Sequence, residues 1–328
     1  MASSLANVGI LSIGQMGLGV AKLLVAHNYH VLTNVTDRSS ATQARAQDAH
    51  LDLVENDVEL VAKSDYIISI VPPKDAVATA NRIIAALKTN PRVASTSPLY
   101  YLELNAVSPA TVSSIAENFR EDAPDVRFID GGIIGGPPSP SVDSTWKRPG
   151  IPLSGPFPLH ESPTSGTHLA ETLNTKYLGP RIGSASGLKC CFAALSKGFT
   201  ALALQSFSTA ASLDVLPALQ HYLDQYNPGG GERAAKGIVG CPSKAYRWVE
   251  EMNQIGECFS QDGGWAEQAK VFREIAGVYE GLAKVVEARG GTEGLSDTKG
   301  VVGALQNGLK GRERSRRLSV EELEQDDR

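Results

Sequence analysis

The chain has 328 residues, of which 42% are hydrophobic and 20% charged, so it is long enough for two domains with substantial cores. Its formal net charge of -5 argues against nucleic-acid binding. No apolar run approaches the length that a bilayer requires, and residues 1–4 form no basic, apolar leader, so we expect a cytoplasmic protein. The four cysteines (Cys190, Cys191, Cys241 and Cys258) lack metal-type spacing, and we expect reduced packing residues and no metal.

Strand and helix patterns alternate from the start of the chain. Apolar residues fill 8–13, recur at helical spacing over 19–27, and fill a second predicted strand over 31–35. Further strands are predicted over 66–71, 99–104, 126–134 and 151–155, and the helices between them over 76–87, 109–119 and around 168–173. This alternation is typical of an α/β fold with a Rossmann-type, doubly wound sheet.

The turn between the first strand and the first helix contains two glycines. They let a pyrophosphate approach the backbone and the helix N-terminus, so this turn is the predicted cofactor-binding element. The usual G-x-G-x-x-G fingerprint is incomplete because Ser12 occupies the position of its first glycine. The turn consists of Gly14, Gln15, Met16 and Gly17.

The end of the second predicted strand indicates which dinucleotide binds. Arg38 and Ser39 lie where the adenosine ribose would rest. A 2′-phosphate is bound by a guanidinium and hydroxyl donors, whereas a free ribose diol prefers a carboxylate. Arg38 and Ser39 therefore favour NADP(H), and the neighbouring Asp37 leaves NAD(H) as the less favoured alternative. A solvated charged loop would have the same composition.

Loops that follow three later strands are expected to line one crevice, because ligands gather at the carboxyl ends of parallel strands. The glycines in the last of these loops indicate close approach of the backbone to a ligand, although a plain glycine-rich turn is the alternative. The loop residues are Val71 and Pro72, then Asn105, then Gly131, Gly132, Ile133 and Ile134.

A glycine- and serine-rich turn over residues 183–189 is predicted to open a long helix at Ser186 or Gly187. Lys189 would then lie in the first turn, where the helix dipole disfavours a cation. A lysine shielded from water there releases its proton readily, as a general acid/base must. The alternative is an ordinary surface lysine.

Four segments occur in the order found in a known family. Residues 8–17 (VGILSIGQMG) look like its nucleotide-binding opening, and residues 103–109 (ELNAVSP) fall on its D-x-S-T-x-x-P element. Residues 130–136 (DGGIIGG) fall on its D-A-P-V-S-G-G substrate loop, and residues 183–189 (GSASGLK) on its G-x-G-x-x-x-K segment. The chain thus resembles the β-hydroxyacid dehydrogenases, which include 6-phosphogluconate and 3-hydroxyisobutyrate dehydrogenases.

This resemblance implies a Rossmann domain over residues 1–182, a helical substrate and dimerisation domain over 183–310, and a homodimer. It implies that Lys189 is catalytic and that Asn105 holds the substrate or the nicotinamide. The closest branch has a short helical C-terminal domain of unsettled function. Trp248 belongs to a set of apolar residues three or four apart in a predicted helix, a spacing typical of core residues. The alternative is that it faces the substrate. The charged residues 311–328, which include Ser319, are expected to be disordered.

Departures from the family pattern bear on the substrate. Ile134 replaces a serine of the family near the substrate carboxylate, and Phe192 replaces an asparagine one turn after the lysine. Neither side chain can form a hydrogen bond, so the pocket should be more apolar than its relatives'. The segment Gly183–Ser186 also resembles the corresponding segment of imine reductases. Those enzymes carry Asp or Tyr at the position of Lys189, so the lysine favours alcohol or carbonyl chemistry in this chain.

The sequence therefore predicts an NADP(H)-dependent oxidoreductase that moves a hydride between the nicotinamide and a hydroxy or carbonyl carbon of a small molecule, with Lys189 as general acid/base. Two alternatives stay open. One is reduction of a C=N bond, and the other is a redox sensor that binds NADP(H) without turnover.

Overall fold

The structure, a computed structural model, describes residues 4–92, 97–142 and 145–309. The tail expected to be disordered, residues 311–328, lies outside the described residues. The described chain forms two compact units: the first unit contains Met1–Phe192 and Glu257–Trp265, and the second unit contains Ala193–Gly256 and Ala266 onwards. The first unit thus extends past residue 182, where we expected the first domain to end, and it includes a short segment from the C-terminal half.

The first unit is built on one eight-stranded sheet. Its strand order is β10-β9-β6-β5-β4-β1-β2-β3, and all neighbours are parallel except β6 and β9. The strands of this sheet are β1 (Asn7–Leu11), β2 (His30–Thr33), β3 (Asp52–Leu53), β4 (Tyr66–Ser69), β5 (Tyr100–Glu103), β6 (Arg127–Gly131), β9 (Ile151–Ser154) and β10 (Thr175–Tyr177). A separate two-stranded ribbon joins β7 (Ser139–Pro140) and β8 (Trp146–Lys147).

Helices cover both faces of this sheet, and two buried apolar clusters fill the layers between them. Strands buried on both faces read as continuous apolar runs, which explains the pattern of β4. From β1 the sheet continues to β2 and β3 on one side and to β4, β5 and β6 on the other. The order of the strands therefore reverses between β1 and β4, and doubly wound sheets bind ligands at that point. The predicted Rossmann-type fold is confirmed. The helices are α1 (Gln15–Ala26), α2 (Ser40–Asp48), α3 (Asp57–Lys63), α4 (Ala76–Thr89), α5 (Pro109–Asp122) and α6 (Gly166–Thr172).

The second unit is helical in its described residues, as predicted. It begins within the long helix α7 (Ser184–Ser212) and continues with five further helices. Two of these were not predicted: α9, which begins inside the glycine-rich break over 227–231, and α12. The other helices are α8 (Leu216–Tyr226), α9 (Gly230–Gly240), α10 (Ala245–Gln261), α11 (Val271–Ala288) and α12 (residues 298–309).

Helix α7 differs from the prediction at its start and in its apolar length. It begins at Ser184, so Lys189 lies in the second turn instead of the first. We expected no segment long enough to cross a membrane, yet α7 meets that criterion by length and composition. Core helices meet the same criterion, and 44% of its most apolar stretch is buried inside the protein. Two lysines on α7, Lys189 and Lys197, agree with a core helix.

Candidate active site

The turn before α1 has the backbone geometry of a pyrophosphate site. Ser12 adopts a left-handed conformation with φ of +84°, the conformation for which the fingerprint normally requires glycine. A Cβ on Gly17 would lie 2.0 Å from the Ser12 carbonyl oxygen, so only glycine fits there. Gly14 is the N-cap of α1 and no side chain caps the helix. The first N–H groups of α1 are therefore available to an anion.

The predicted 2′-phosphate site follows β2. Arg38 is exposed, and Ser39 is the N-cap of α2, with its hydroxyl 3.1 Å from that of Thr42. Arg45, one turn further on, donates to the Thr42 hydroxyl at 2.9 Å. Two guanidinium groups and two hydroxyls thus lie near the start of α2, and all four could bind a phosphate.

Asn105 connects the ends of β4 and β5. Its Oδ1 accepts a hydrogen bond from the Val71 backbone N–H at 2.6 Å, and its Nδ2 donates to the Ser69 hydroxyl at 2.9 Å. The Asn105 side chain is buried. It therefore fixes the loop that starts at Val71 and Pro72, and its amide is engaged within the protein in this structure.

Glu103, at the end of β5, is a fully buried carboxyl group. One oxygen accepts the Asn105 backbone N–H at 3.2 Å, and the other has no hydrogen-bond partner among the described residues. Burial raises the pKa of Glu103 from 4.5 to about 8, and the neighbouring carboxylate of Asp130 adds to this increase. Glu103 is therefore protonated at neutral pH. As a neutral acid it accepts the Asn105 backbone N–H and so helps to hold Asn105 in place.

The substitution Glu103→Gln should stabilise the protein at neutral pH. In the unfolded chain Glu103 ionises above 4.5, whereas in the folded protein it stays protonated until about 8, so wild-type stability falls as pH rises between these values. Gln keeps the acceptor for Asn105 without this loss. We expect urea unfolding to show a gain of about 2–3 kcal/mol near pH 7 that fades below about pH 5. If the free energy of unfolding depends on pH in Glu103→Gln as it does in the wild type, the pKa of Glu103 is not raised.

Asp130, at the end of β6, organises the start of α7. Its Oδ2 accepts from the backbone N–H groups of Gly183, Ala185 and Ser186 at 2.9, 3.1 and 3.3 Å, and from the Ser154 hydroxyl at 2.7 Å. Its Oδ1 accepts from the Ser186 hydroxyl at 2.6 Å. Burial raises the pKa of Asp130, and the hydrogen bonds from Ser186 and Ser154 act in the opposite direction. One carboxyl group thus caps α7 and joins it to β6 and β9.

Lys189 points from α7 to the loop after β6. Its ammonium group donates a hydrogen bond to the Ile133 carbonyl oxygen. A Cβ on Gly132 would lie 2.9 Å from the Lys189 Cβ, so glycine makes room for the lysine stem. The same loop is held on its other side by paired hydrogen bonds between Ile134 and Gly150, each of 2.9 Å. The predicted catalytic lysine and the predicted substrate loop are therefore in contact.

The structure brings most of the predicted site residues to one edge of the sheet in the first unit. A Cβ on Gly131 would lie 2.4 Å from Leu104, so this glycine serves core packing rather than ligand approach. Phe192 lies three residues after Lys189 on α7 with 48% of its surface exposed. Trp248 belongs to the second unit, where its ring packs edge-on against Tyr279 and lies under the Lys197 ammonium.

Sequence reasoning named Asp130 and Glu103 only as motif members and missed their roles. The available signal was a carboxyl residue at the last position of a buried strand, where a polar side chain must find partners. No group of His, Cys, Asp and Glu side chains in the described ranges is arranged to hold a metal ion.

Comparisons with known proteins agree with this geometry. Residues 7–97 match the family described as "NADP oxidoreductase coenzyme F420-dependent", and residues 210–282 match "Domain of unknown function (DUF1932)". The chain is 24% identical over 221 residues to an uncharacterized 28.5 kDa protein of Methanothermus fervidus, a match that covers 67% of this chain and 76% of that protein.

Solved structures share the fold at low identity. A 3-hydroxyisobutyrate dehydrogenase of Mycobacterium tuberculosis with L-serine superimposes with a TM-score of 0.60, 13% identity and coverage of 92% of this chain and 99% of that one. An imine reductase variant of Myxococcus stipitatus in complex with NAD+ gives a TM-score of 0.52, 16% identity and the same coverages.

The turn before α1 has the geometry of a nucleotide site, and residues 7–97 resemble NADP oxidoreductases. Residues 210–282 resemble a DUF1932 domain, and the fold is shared with a hydroxyacid dehydrogenase, as the sequence resemblance implied.

Proposed function

We propose that the chain is an NADP(H)-dependent oxidoreductase that transfers a hydride between the nicotinamide and a hydroxy or carbonyl substrate. The observation that carries this proposal is the contact between Lys189 and the Ile133 carbonyl, because it places an amine beside the loop that follows β6 at the ligand-binding edge of the sheet. Lys189 gives a proton to the substrate oxygen during reduction and takes it back during oxidation.

The residues present fit a dinucleotide. The uncapped start of α1 offers N–H groups to a pyrophosphate, and Gly14 leaves the backbone open to it. Val71 and Pro72, which follow β4, would help to hold the dinucleotide, and Asn105 supports them by accepting a hydrogen bond from the Val71 N–H. When bound, the cofactor supplies the hydride.

The proposed substrate region is more apolar than a site that binds a substrate carboxylate. Ile134 follows the residue whose carbonyl Lys189 contacts, and Phe192 lies three residues after Lys189 on α7, so each adds apolar surface to an element that carries the site. The backbone of residues 131–134 shapes the site, and its bonds to β9 and to Gly150 hold that shape. A substrate with an apolar body and one reactive polar group fits these residues better than a short hydroxyacid.

Reduction of a C=N bond is the second candidate, since the fold is shared with an imine reductase. The deciding experiment measures NADPH consumption with a panel of aldehydes, keto acids and cyclic imines. Turnover of the carbonyl compounds supports the proposal, and turnover of imines alone favours the second candidate. Tight NADPH binding with no turnover would favour a redox sensor and overturn the enzyme proposal.

NADPH should bind more tightly than NADH, and Arg38→Ala should erase the difference. A guanidinium bond to the 2′-phosphate contributes about 1.5–3 kcal/mol, or roughly a 10- to 150-fold affinity difference. Fluorescence titration with both nucleotides measures it. Arg120→Ala, which removes an exposed arginine paired with Glu117, is the matched control and should change neither affinity. Equal affinities in the wild type would contradict the preference for NADP(H).

The second unit carries apolar surface that fits a homodimer, the assembly that the family resemblance implies. No residue of α8 is buried, and Tyr222 and Tyr226 stack on each other at its surface. Leu195 and Leu213 are 74% and 65% exposed. Apolar surface of this kind marks interaction sites. We expect a dimer in analytical ultracentrifugation that Tyr222→Lys with Tyr226→Lys converts to monomer, while the surface change Lys236→Glu does not. A monomeric wild type would contradict this prediction.

We also propose that the protein works in the cytoplasm. All four cysteines are free thiols, and a reducing compartment keeps thiols in that state.

A further inference from the structure

Three of the four cysteines gather in the first unit, although they were expected only to fill space. Cys190 and Cys191 lie on α7, and Cys258 lies in the part of α10 that belongs to the first unit. The thiols of Cys190 and Cys258 are hydrogen-bonded to each other. Cys190 also contacts the Val107 carbonyl oxygen at 3.6 Å. Two buried thiols that are distant in sequence thus lie beside each other in the fold.

A cavity of about 440 Å³ lies beside Cys258. Cys258 and Cys191 both line it, and the Cys191 residue is exposed to solvent, so the cavity is open where Cys191 lies. Lys189 is not among the residues that line this cavity, although its neighbour Leu188 is. The rest of the wall includes Pro109, Arg181, Leu188, Phe259 and Trp265.

The two touching thiols differ in character. The hydrogen bond from the Cys190 thiol lowers the pKa of Cys258, which raises its thiolate fraction at neutral pH. The hydrogen bond to Cys258, together with burial, raises the pKa of Cys190, which therefore remains a protonated thiol. By contrast, burial raises the pKa of Cys241, in the second unit, to about 12. A nucleophilic sulfur beside a protonated partner is the arrangement of a redox-sensing pair.

We propose that Cys258 and Cys190 form a reversible modification site that a hydroperoxide converts to an intramolecular disulfide. The Cys258 thiolate attacks the terminal peroxide oxygen, the O–O bond breaks, and the leaving hydroxide or alkoxide takes up a proton, so sulfur becomes a sulfenic acid and the peroxide is reduced to water or an alcohol. The Cys190 sulfur then attacks the sulfenic sulfur. Its thiol proton leaves with the displaced hydroxide as a second water, and the S–S bond forms.

The disulfide would restrain the helix turn that carries Lys189. Cys190 follows Lys189 directly on α7, and Cys258 belongs to a segment that is already attached to the start of α5. There, Glu257 accepts hydrogen bonds from the hydroxyls of Ser108 and Thr111. The bond would thus add a covalent link between α7 and residues 257–265. This inference does not depend on the proposed oxidoreductase activity.

The test treats the full-length reduced protein with stoichiometric hydrogen peroxide, removes the peroxide with catalase, and counts thiols in denaturant. We expect the count to fall from four to two and to return to four with dithiothreitol, and peptide mapping should find Cys190 joined to Cys258. The variants Cys191→Ser and Cys241→Ser are the matched controls. In each, the peroxide treatment should lower the thiol count from three to one.

Two single variants separate the roles within the pair. Cys190→Ser should leave a sulfenic acid on Cys258 that dimedone traps, and Cys258→Ser should form no intramolecular disulfide. The wild-type peptide map keeps the proposal testable even where a serine variant fails to fold. Retention of all four thiols in the wild type, a disulfide that joins Cys191 instead of Cys190, or equal disulfide formation in Cys258→Ser would overturn it.

Discussion

Replacing Asp130 with alanine is expected to lower the free energy of unfolding by about 3–5 kcal/mol, because it removes the acceptor of five hydrogen bonds at once. Three of the donors are backbone N–H groups at the start of α7. Buried groups left unpaired in this way cost about 1–3 kcal/mol each, although water that enters the cavity offsets part of the loss. Urea unfolding followed by tryptophan fluorescence measures the change.

Ser154→Ala provides the matched control for this prediction. It removes a single donor to Asp130 and the acceptor for the Ala185 N–H, and it should cost about 1–2 kcal/mol. The loss of unfolding free energy in Asp130→Asn should lie between those of the other two variants. Asparagine keeps one acceptor oxygen, but its NH₂ group then faces donors and cannot accept hydrogen bonds from them. If Asp130→Ala costs no more than Ser154→Ala, the carboxyl group does not hold the start of α7.

The βαβ opening could be predicted because its signals are local. Each strand is a short apolar run, and each helix has apolar residues at regular spacing. The predicted end of the first strand was wrong by two residues, since Ser12 leaves the extended conformation and β1 ends at Leu11. The fingerprint looked incomplete for the same reason: the position requires a positive φ, and here a serine supplies it.

Element boundaries in the helical region were less predictable because they depend on non-local partners. The start of α7 was placed at Ser186 or Gly187, but Asp130 and Ser154 accept N–H groups at Gly183 and Ala185 and extend the helix to Ser184. This moves Lys189 out of the first turn, where the dipole effect is largest. The case for Lys189 therefore depends on the family resemblance and on its contact with the Ile133 carbonyl, and no sequence pattern shows that contact.

The break over residues 227–231 was predicted correctly as a helix end, but the helix that follows it was missed. Helix α8 ends at Tyr226, and Gly229, with a φ of +79°, is already the N-cap of α9, which begins at Gly230. Glycine-rich stretches both end and begin helices, and their composition alone does not show that a short helix follows.

Replacing Lys189 with alanine should lower kcat by about 10²–10⁴-fold in whichever substrate the NADPH assay identifies, because the proton on the substrate oxygen loses its donor. The Kd for NADPH should change little, since no predicted nucleotide contact involves Lys189. Steady-state kinetics and fluorescence titration measure the two quantities separately. Lys236→Ala, which removes a lysine with 76% of its side chain exposed in the second unit, is the control and should change neither.

Lys189→Arg separates proton transfer from charge. Arginine keeps a positive charge but does not release a proton at accessible pH, so we expect a loss of kcat as large as that of Lys189→Ala. A small primary amine such as ethylamine should partly restore turnover in Lys189→Ala, because the removed stem leaves space beside Gly132 and the free amine can exchange the proton. Full activity in Lys189→Arg would show that Lys189 supplies only charge, and full activity in Lys189→Ala would remove it from the mechanism.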